Sequence, residues 1–269
     1  MKQRLQAVIF DWAGTTVDYG CFAPVAVFVQ IFQQRGVSIS IPQARAPMGL
    51  EKRDHIRAII QMPEVSMLWE SAQGKPWTEA DVDALYHDSV MAQKSSVMKY
   101  ADLIPGTMDS VLDCLQRGLK IGSTTGYSRA IMDVLQPAAA AQGYAPDAVV
   151  TPEDVPAGRP APYMIYRNMM ELGIYPAATV VKVGDTLPDI AEGLNAGTWT
   201  VAVTQTGNQL GLNEADALAL SPAELAARVT PIERLMRQAG AHEIIPSIAD
   251  LGGALDRIEA RLSVGEVPL

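Results

Sequence analysis

Two cysteines in 269 residues, Cys21 and Cys114, are too few for a disulfide framework or a structural zinc cluster. Histidine is almost as scarce: His55, His87 and His242 lie far apart and show no metal-ligand spacing. Positive charge is in deficit, with 21 Lys and Arg against 30 Asp and Glu, a formal net charge of -9 and no Lys/Arg block. That argues against a nucleic-acid binder, although an acidic protein can still hold a locally positive pocket for a small anion. No apolar run approaches the length of a membrane span, and the short one near the start runs into Asp11. We therefore expect no signal peptide and no membrane partner, and a soluble cytoplasmic protein in a reducing compartment. No repeat at a solenoid period is visible either.

What is present suits a folded globular chain: 48% hydrophobic and 19% charged residues. Leu5 to Phe10 reads as a short, continuously apolar strand of the kind buried on both faces in a parallel sheet, with Asp11 just past its carboxyl end. The next eighty residues read as helices. PVAVFVQIFQQRG is an amphipathic helix stopped at Gly36, MGLEKRDHIRAIIQ leads into a second, Leu68 to Gly74 makes a short third, and Thr78 with Asp81 opens a longer one. After Asp102 strands alternate with helices. Strands are expected at Leu119 to Ser123, Ala148 to Thr151, Thr179 to Asp185 and Thr198 to Val203, with a short strand and a terminal helix after Ala241. This pattern predicts an α/β fold with a doubly wound parallel sheet and a site at its carboxyl edge. The predicted division is a discontinuous α/β core domain, residues 1–20 and 100–269, with an inserted helical cap domain at 21–99.

Three polar clusters follow strand ends: Asp11, Thr124 with Thr125, and Asp185 with Asp189. In a doubly wound fold they meet in one crevice, where paired carboxylates hold a hard divalent cation such as magnesium and leave one carboxylate free to attack. Each Asp alone also fits a helix cap or a solvated turn. Thr125 and nearby backbone amides suit phosphoryl oxygens. Lys52 and His55, three residues apart, share a helix face, and Gly49 just before them permits a close approach. Taken alone, the stretch reads first as a solvated helix surface. If it covers the crevice, partial desolvation frees the Lys52 amine to condense with a carbonyl, and His55 becomes a candidate proton shuttle. Arg159 is a candidate phosphate clamp or a surface-loop arginine. Cys21 and Met48 either flank the crevice or pack as apolar residues.

Taken in order, DWAGTTVD, MGLEKRDHI, GSTTGYS, DVPAGRPAPYM and VKVGDTLPDI resemble the haloacid dehalogenase-like hydrolases and, within them, the phosphonoacetaldehyde hydrolases, over most of residues 6–190. The resemblance implies a Mg2+-dependent homodimer, joined through its cap domains, that cuts the C-P bond of a small phosphonate substrate to give acetaldehyde and phosphate. It implies Asp11 as nucleophile, Asp11, the Ala13 carbonyl and Asp185 as metal ligands, and Asp189 as their support. It further implies Lys52 as the Schiff-base amine, Thr125 and Arg159 at the phosphoryl group, Gly49 at the entering cap loop, and Cys21, Met48, His55 and Tyr127 around them. The sequence departs from the superfamily's usual DxD at Ala13, where many members carry a second Asp. A phosphatase or phosphomutase on a phosphate ester is the alternative within the fold, and a non-catalytic ligand-binding protein the alternative outside it. The first wants an acid at position 13 for an oxygen leaving group, which alanine lacks. Against the second stands the joint presence of Asp11, Lys52 and Asp185.

Overall fold

The computed structural model describes residues 4–268. Six parallel strands form one sheet: β1 (Ala7–Phe10), β2 (Lys120–Thr124), β3 (Ala148–Val150), β4 (Val180–Gly184), β5 (Trp199–Val203) and β6 (Glu243–Ile245), in the order β3-β2-β1-β4-β5-β6. The order reverses beside β1, so the crevice at the carboxyl ends of β1 and β4 is the place where such folds bind ligands. β1 is buried along its whole length because helices cover both faces. Its alternation is visible in what each residue touches. Val8 and Phe10 join the larger core with Val181, Val183 and Ile258, while Ala7 and Ile9 point the other way, to Ile165 and Met169.

The helices are α1 (Phe22–Gln33), α2 (Ile41–Arg45), α3 (Lys52–Ile60), α4 (Pro63–Gln73), α5 (Glu79–Val97), α6 (Thr107–Gln116), α7 (Arg129–Ala140), α8 (Tyr163–Leu172), α9 (Leu187–Ala196), α10 (Glu214–Ala219), α11 (Pro222–Gln238) and α12 (Leu251–Ser263). Helices α1 to α5 lie between β1 and β2 in sequence and build an apolar core of their own from Phe28, Ile31, Phe32, Ile56, Ile59 and Trp69. The Thr78 start of α5 is closed by Asp81, whose carboxylate accepts from the Thr78 amide at 2.8 Å. At the other end of this insertion Asp18 accepts from the Phe22 and Ala23 amides, both at 2.9 Å, and so caps α1. Ala13 packs against both apolar cores, which places the loop after β1 at their junction. The sequence patterns miss α10 and the short α2, which a Ser40–Gln43 capping box starts.

Candidate active site

The sheet side of the crevice is a buried ionic network. Asp11 leaves β1, and its Oδ1 accepts from Arg159 Nη2 at 2.7 Å. The Arg159 guanidinium reaches other sheet-side groups as well: Nη1 lies 3.0 Å from Asp189 Oδ1, Nε donates to Glu192 Oε2 at 3.0 Å, and Nη2 also reaches Thr124 Oγ1 at 2.8 Å, which leaves one Nη1 hydrogen free among the described residues. Lys182 rises from the middle of β4 to meet the same partners, Asp189 Oδ1 at 2.8 Å and Thr124 Oγ1 at 3.0 Å. The Thr124 hydroxyl in turn donates to Glu192. Arg159 is thus a buried arginine with four partners, and the surface-loop alternative for it is excluded.

The carboxylates divide by what already occupies them. Asp189 accepts from Thr186 through one oxygen and faces Arg159 and Lys182 through the other, so burial is outweighed and its pKa falls below the usual carboxylate value. Asp185 has lighter support, the Asn208 amide at 2.7 Å and the Thr15 hydroxyl at 3.3 Å. Burial, with Asp11 and Asp189 close by, pushes its pKa well up. Burial raises that of Asp11 too, against the pull of Arg159. Oxygens of Asp11, Asp185 and Asp189 lie within 4.8 Å of one another. Four buried carboxylates on this side, Glu192 included, face two buried cations, Arg159 and Lys182. The donor set is all hard oxygen and short of positive charge, which fits a divalent cation held by Asp11 and Asp185 with Asp189 behind them.

The opposite wall comes from the helical insertion. Gly49 has φ 93°, and a Cβ there would stand 2.1 Å from Thr186 Oγ1, so only glycine lets this loop lie against the start of α9. The chain then enters α3 with Lys52 as its first residue. The side chain is buried, and its Nζ sits 4.8 Å from the Tyr127 ring centre and 5.7 Å from that of Phe28. No carboxylate oxygen among the described residues lies within salt-bridge distance of it. Burial therefore lowers its pKa to about 8, with the Asp11 carboxylate opposing the shift. Asp11, Ala13, Cys21, Met48, Gly49, Lys52, Thr125, Tyr127 and Arg159 all line one cleft with about 280 Å³ of atom-free space. Thr125 Oγ1 accepts from the Tyr127 amide at 3.0 Å, while the Tyr127 hydroxyl has no hydrogen-bond partner among the described residues. Burial raises the Cys21 thiol well above its ordinary pKa and keeps it protonated.

His55 corrects the expectation of a proton shuttle. It is absent from the cleft wall: its ring stacks on Phe28 at 4.0 Å, and Nε2 lies 2.8 Å from the Ala44 carbonyl oxygen. Full burial holds its pKa well below the ordinary value, so it is neutral. Facing into the helical core rather than the cleft, it holds α3 to the end of α2. Conversely, Lys182, Glu192 and Thr186 belong to the site and were not among the candidates. A lysine inside the apolar strand VVKVG and an acid three residues after Asp189 on the same helix face are the signals that would have found the first two.

Comparison with known proteins places this geometry. The haloacid dehalogenase-like hydrolase family matches residues 5–197. A phosphonoacetaldehyde hydrolase of Bacillus cereus is 47% identical over 256 residues, 95% of this chain and 97% of its own. One from Nitratidesulfovibrio vulgaris is 47% identical over 264 residues, 98% of this chain and 94% of its own. Among solved structures, a phosphonoacetaldehyde hydrolase-like protein from Oleispira antarctica superposes with a TM-score of 0.98 at 38% identity, covering 99% of this chain and 97% of the other.

Proposed function

Because this chain belongs to the haloacid dehalogenase-like hydrolases, and within them to the phosphonoacetaldehyde hydrolases, we propose that it hydrolyses the C-P bond of phosphonoacetaldehyde to acetaldehyde and phosphate. The observation that carries the mechanism is a buried amine without a carboxylate partner, Lys52, in the same cleft as an Arg159-bound carboxylate, Asp11.

A phosphonate has carbon where an ester has a leaving oxygen, and an unassisted cleavage would expel a poor carbanion. Lys52 Nζ first condenses with the aldehyde, releasing water and forming an iminium. Asp11 then attacks phosphorus. The electrons of the C-P bond move into the iminium to give an enamine on Lys52, and the phosphoryl group passes to the Asp11 oxygen. Arg159 and Thr125 hold the phosphoryl oxygens while charge shifts among them. One water hydrolyses the aspartyl phosphate to inorganic phosphate and restores Asp11. The enamine is protonated at carbon, with the Tyr127 hydroxyl the cleft's candidate donor, and a second water frees acetaldehyde and the amine. The net reaction consumes one water.

The metal of this reading is Mg2+, held by Asp11, the Ala13 carbonyl and Asp185, with Asp189 in support. When bound it supplies positive charge to a site whose carboxylates outnumber its cations. Ala13 provides no acid, which disfavours an ester phosphatase or mutase and suits a carbon leaving group activated elsewhere.

Residues 21–99 act in this reading as a cap domain that closes over a core of residues 1–20 and 100–269. A homodimer joined through the cap belongs to the same reading, which rests for this on the resemblance to the family. No helix among the described residues is long and apolar enough to cross a membrane, and both cysteines are free and buried, which suits a cytoplasmic site of action.

The deciding assay supplies phosphonoacetaldehyde with Mg2+ and measures both products. Equal yields of phosphate and acetaldehyde support the reading, and borohydride should trap the aldehyde on Lys52. Phosphate without acetaldehyde, or turnover without a trappable adduct, refutes it.

A further inference from the structure

The short helix α2 contributes nothing to the cleft wall except through the loop that follows it, yet its last residue makes an unusual set of contacts. Arg45 Nη1 donates to the Gly20 carbonyl at 2.8 Å and to Asn208 Oδ1 at 2.9 Å, and reaches the Asn208 carbonyl at 3.3 Å. Asn208 answers by donating its side-chain amide to the Arg45 carbonyl at 3.3 Å. The Arg45 guanidinium also lies over the Phe22 ring, 5.1 Å from its centre. This is a reciprocal clasp between the helical insertion and the loop after β5, and it includes the connection at Gly20 through which the insertion leaves the sheet domain.

Both ends of the clasp continue into the site. On the sheet side, the backbone amide of the same Asn208 donates to Asp185 Oδ2 at 2.7 Å, the shorter of the two hydrogen bonds that carboxylate receives. On the helical side, the neighbouring Ala44 carbonyl meets His55 Nε2 at 2.8 Å, and His55 stands one turn along α3 from Lys52. The path Lys52-bearing helix, His55, Ala44–Arg45, Asn208, Asp185 is continuous and made of directional contacts.

We infer that Arg45 and Asn208 are positioning residues that couple the seating of the Lys52-bearing cap to the orientation of Asp185. With the clasp made, the Asn208 amide is aimed at Asp185, and the carboxylate is fixed for the divalent cation at the moment Lys52 is over the cleft. With the clasp broken, loop 205–211 loses its outer anchor and Asp185 its better donor. The metal site is then complete only beneath a seated cap, and hydrogen-bonded support of this kind controls both affinity and activity. This inference rests on the functional reading above for its catalytic consequence, but its binding consequence does not need that reading.

The test uses the full chain as wild type, Arg45→Met, Asn208→Ala, the double variant and Arg45→Lys. Mg2+ binding is measured by calorimetry without substrate, followed by kcat and KM for phosphate release. Arg45→Met and Asn208→Ala should each weaken Mg2+ binding roughly tenfold and raise KM for phosphonoacetaldehyde. The double variant should be no worse than either, because the two side chains form one contact, and Arg45→Lys should recover part of the loss. Asn208→Ala keeps the backbone amide, so its deficit reports the clasp alone, and it carries the test if Arg45→Met does not fold. Mg2+ affinity within about twofold of wild type in Asn208→Ala, even with a lowered melting temperature, overturns the inference. So do effects that multiply in the double variant. Failure of the functional reading looks different: wild-type protein binds Mg2+ but releases no phosphate, and the affinity differences still decide the clasp.

Discussion

The two walls of the cleft treat charge in opposite ways. On the sheet side the charges around Arg159 are paired: Arg159 meets Asp11, Asp189 and Glu192, Lys182 meets Asp189 and Glu192, and both reach the Thr124 hydroxyl, at distances of 2.7 to 3.6 Å. On the side of the helical insertion a lysine lies among aromatic rings, with no carboxylate of the described residues at salt-bridge distance. Both are buried, and the physical results diverge. Pairing fixes Arg159, Lys182 and Asp189 in place and holds the Asp189 carboxylate ionised, as suits a site that stabilises phosphoryl charge, while burial raises the pKa of Asp11 and Asp185 beside them. Burial, with no close counter-charge to offset it, lowers the pKa of the second wall's amine to about 8, so that an appreciable fraction is uncharged and nucleophilic near neutral pH. A nucleophilic lysine placed in the first network would be locked as an ammonium.

The largest effects should come from taking each wall's reacting group away. Lys52→Arg keeps the positive charge and cannot form an imine, so phosphate release should fall by at least roughly a thousandfold and the borohydride-trapped adduct should vanish. Turnover near wild type would remove Lys52 from the mechanism. Asp11→Asn should lose phosphate release to a similar extent while the substrate aldehyde can still be trapped on Lys52, which mass spectrometry reads directly. Loss of both signals together would mean that the walls do not act separately.

Next in size is a stability effect confined to the sheet side. Lys182→Met removes one of two cations from among buried carboxylates, and breaking a buried ionic set in this way costs about 3–5 kcal/mol. Urea denaturation of the variant should show that loss at neutral pH. A neutral or stabilised Lys182→Met would mean that the network is not ionised as drawn.

The same contrast governs how much was legible in the sequence. The parallel sheet announced itself through short apolar runs, and the reacting groups of the sheet side through carboxylates just past strand ends, because both obey local rules of period and position. Asp11, Asp185, Thr125 and Arg159 meet in the structure because topology carries them to one edge. Lys182 and Glu192 stand out in the sequence only as a lysine inside an apolar strand and an acid on the Asp189 face of α9; that they meet each other, across β4 and α9, is not written in the run of letters. His55 was misplaced for a related reason. Sharing a helix face with Lys52 is true of the helix, but Phe28 and Ala44, brought in by α1 and α2, turn the imidazole into the helical core. The Arg45–Asn208 contact, which spans 163 residues, has no local signature at all.

The smallest predicted effect is the sharpest test of the comparison, because the same replacement that harms one wall should relieve the other. Burial lowers the folded-state pKa of Lys52 from 10.5 to about 8, so below pH 8 the folded protein carries a buried ammonium that the unfolded chain would carry in water. Folding stability increases with pH wherever the unfolded state binds more protons, here between about 8 and 10.5. The penalty is therefore complete below pH 8 and relieved as pH rises through that window. A shift of this size corresponds to about 3 kcal/mol. Lys52→Met should accordingly be inactive yet more stable than wild type by about that amount at pH 7, with the difference shrinking towards zero above pH 10.5. Parallel urea titrations at pH 7, 9 and 10.5 measure it. If Lys52→Met is less stable at pH 7, or its advantage does not change with pH, Lys52 has a counter-charge in solution and the distinction between the two walls fails.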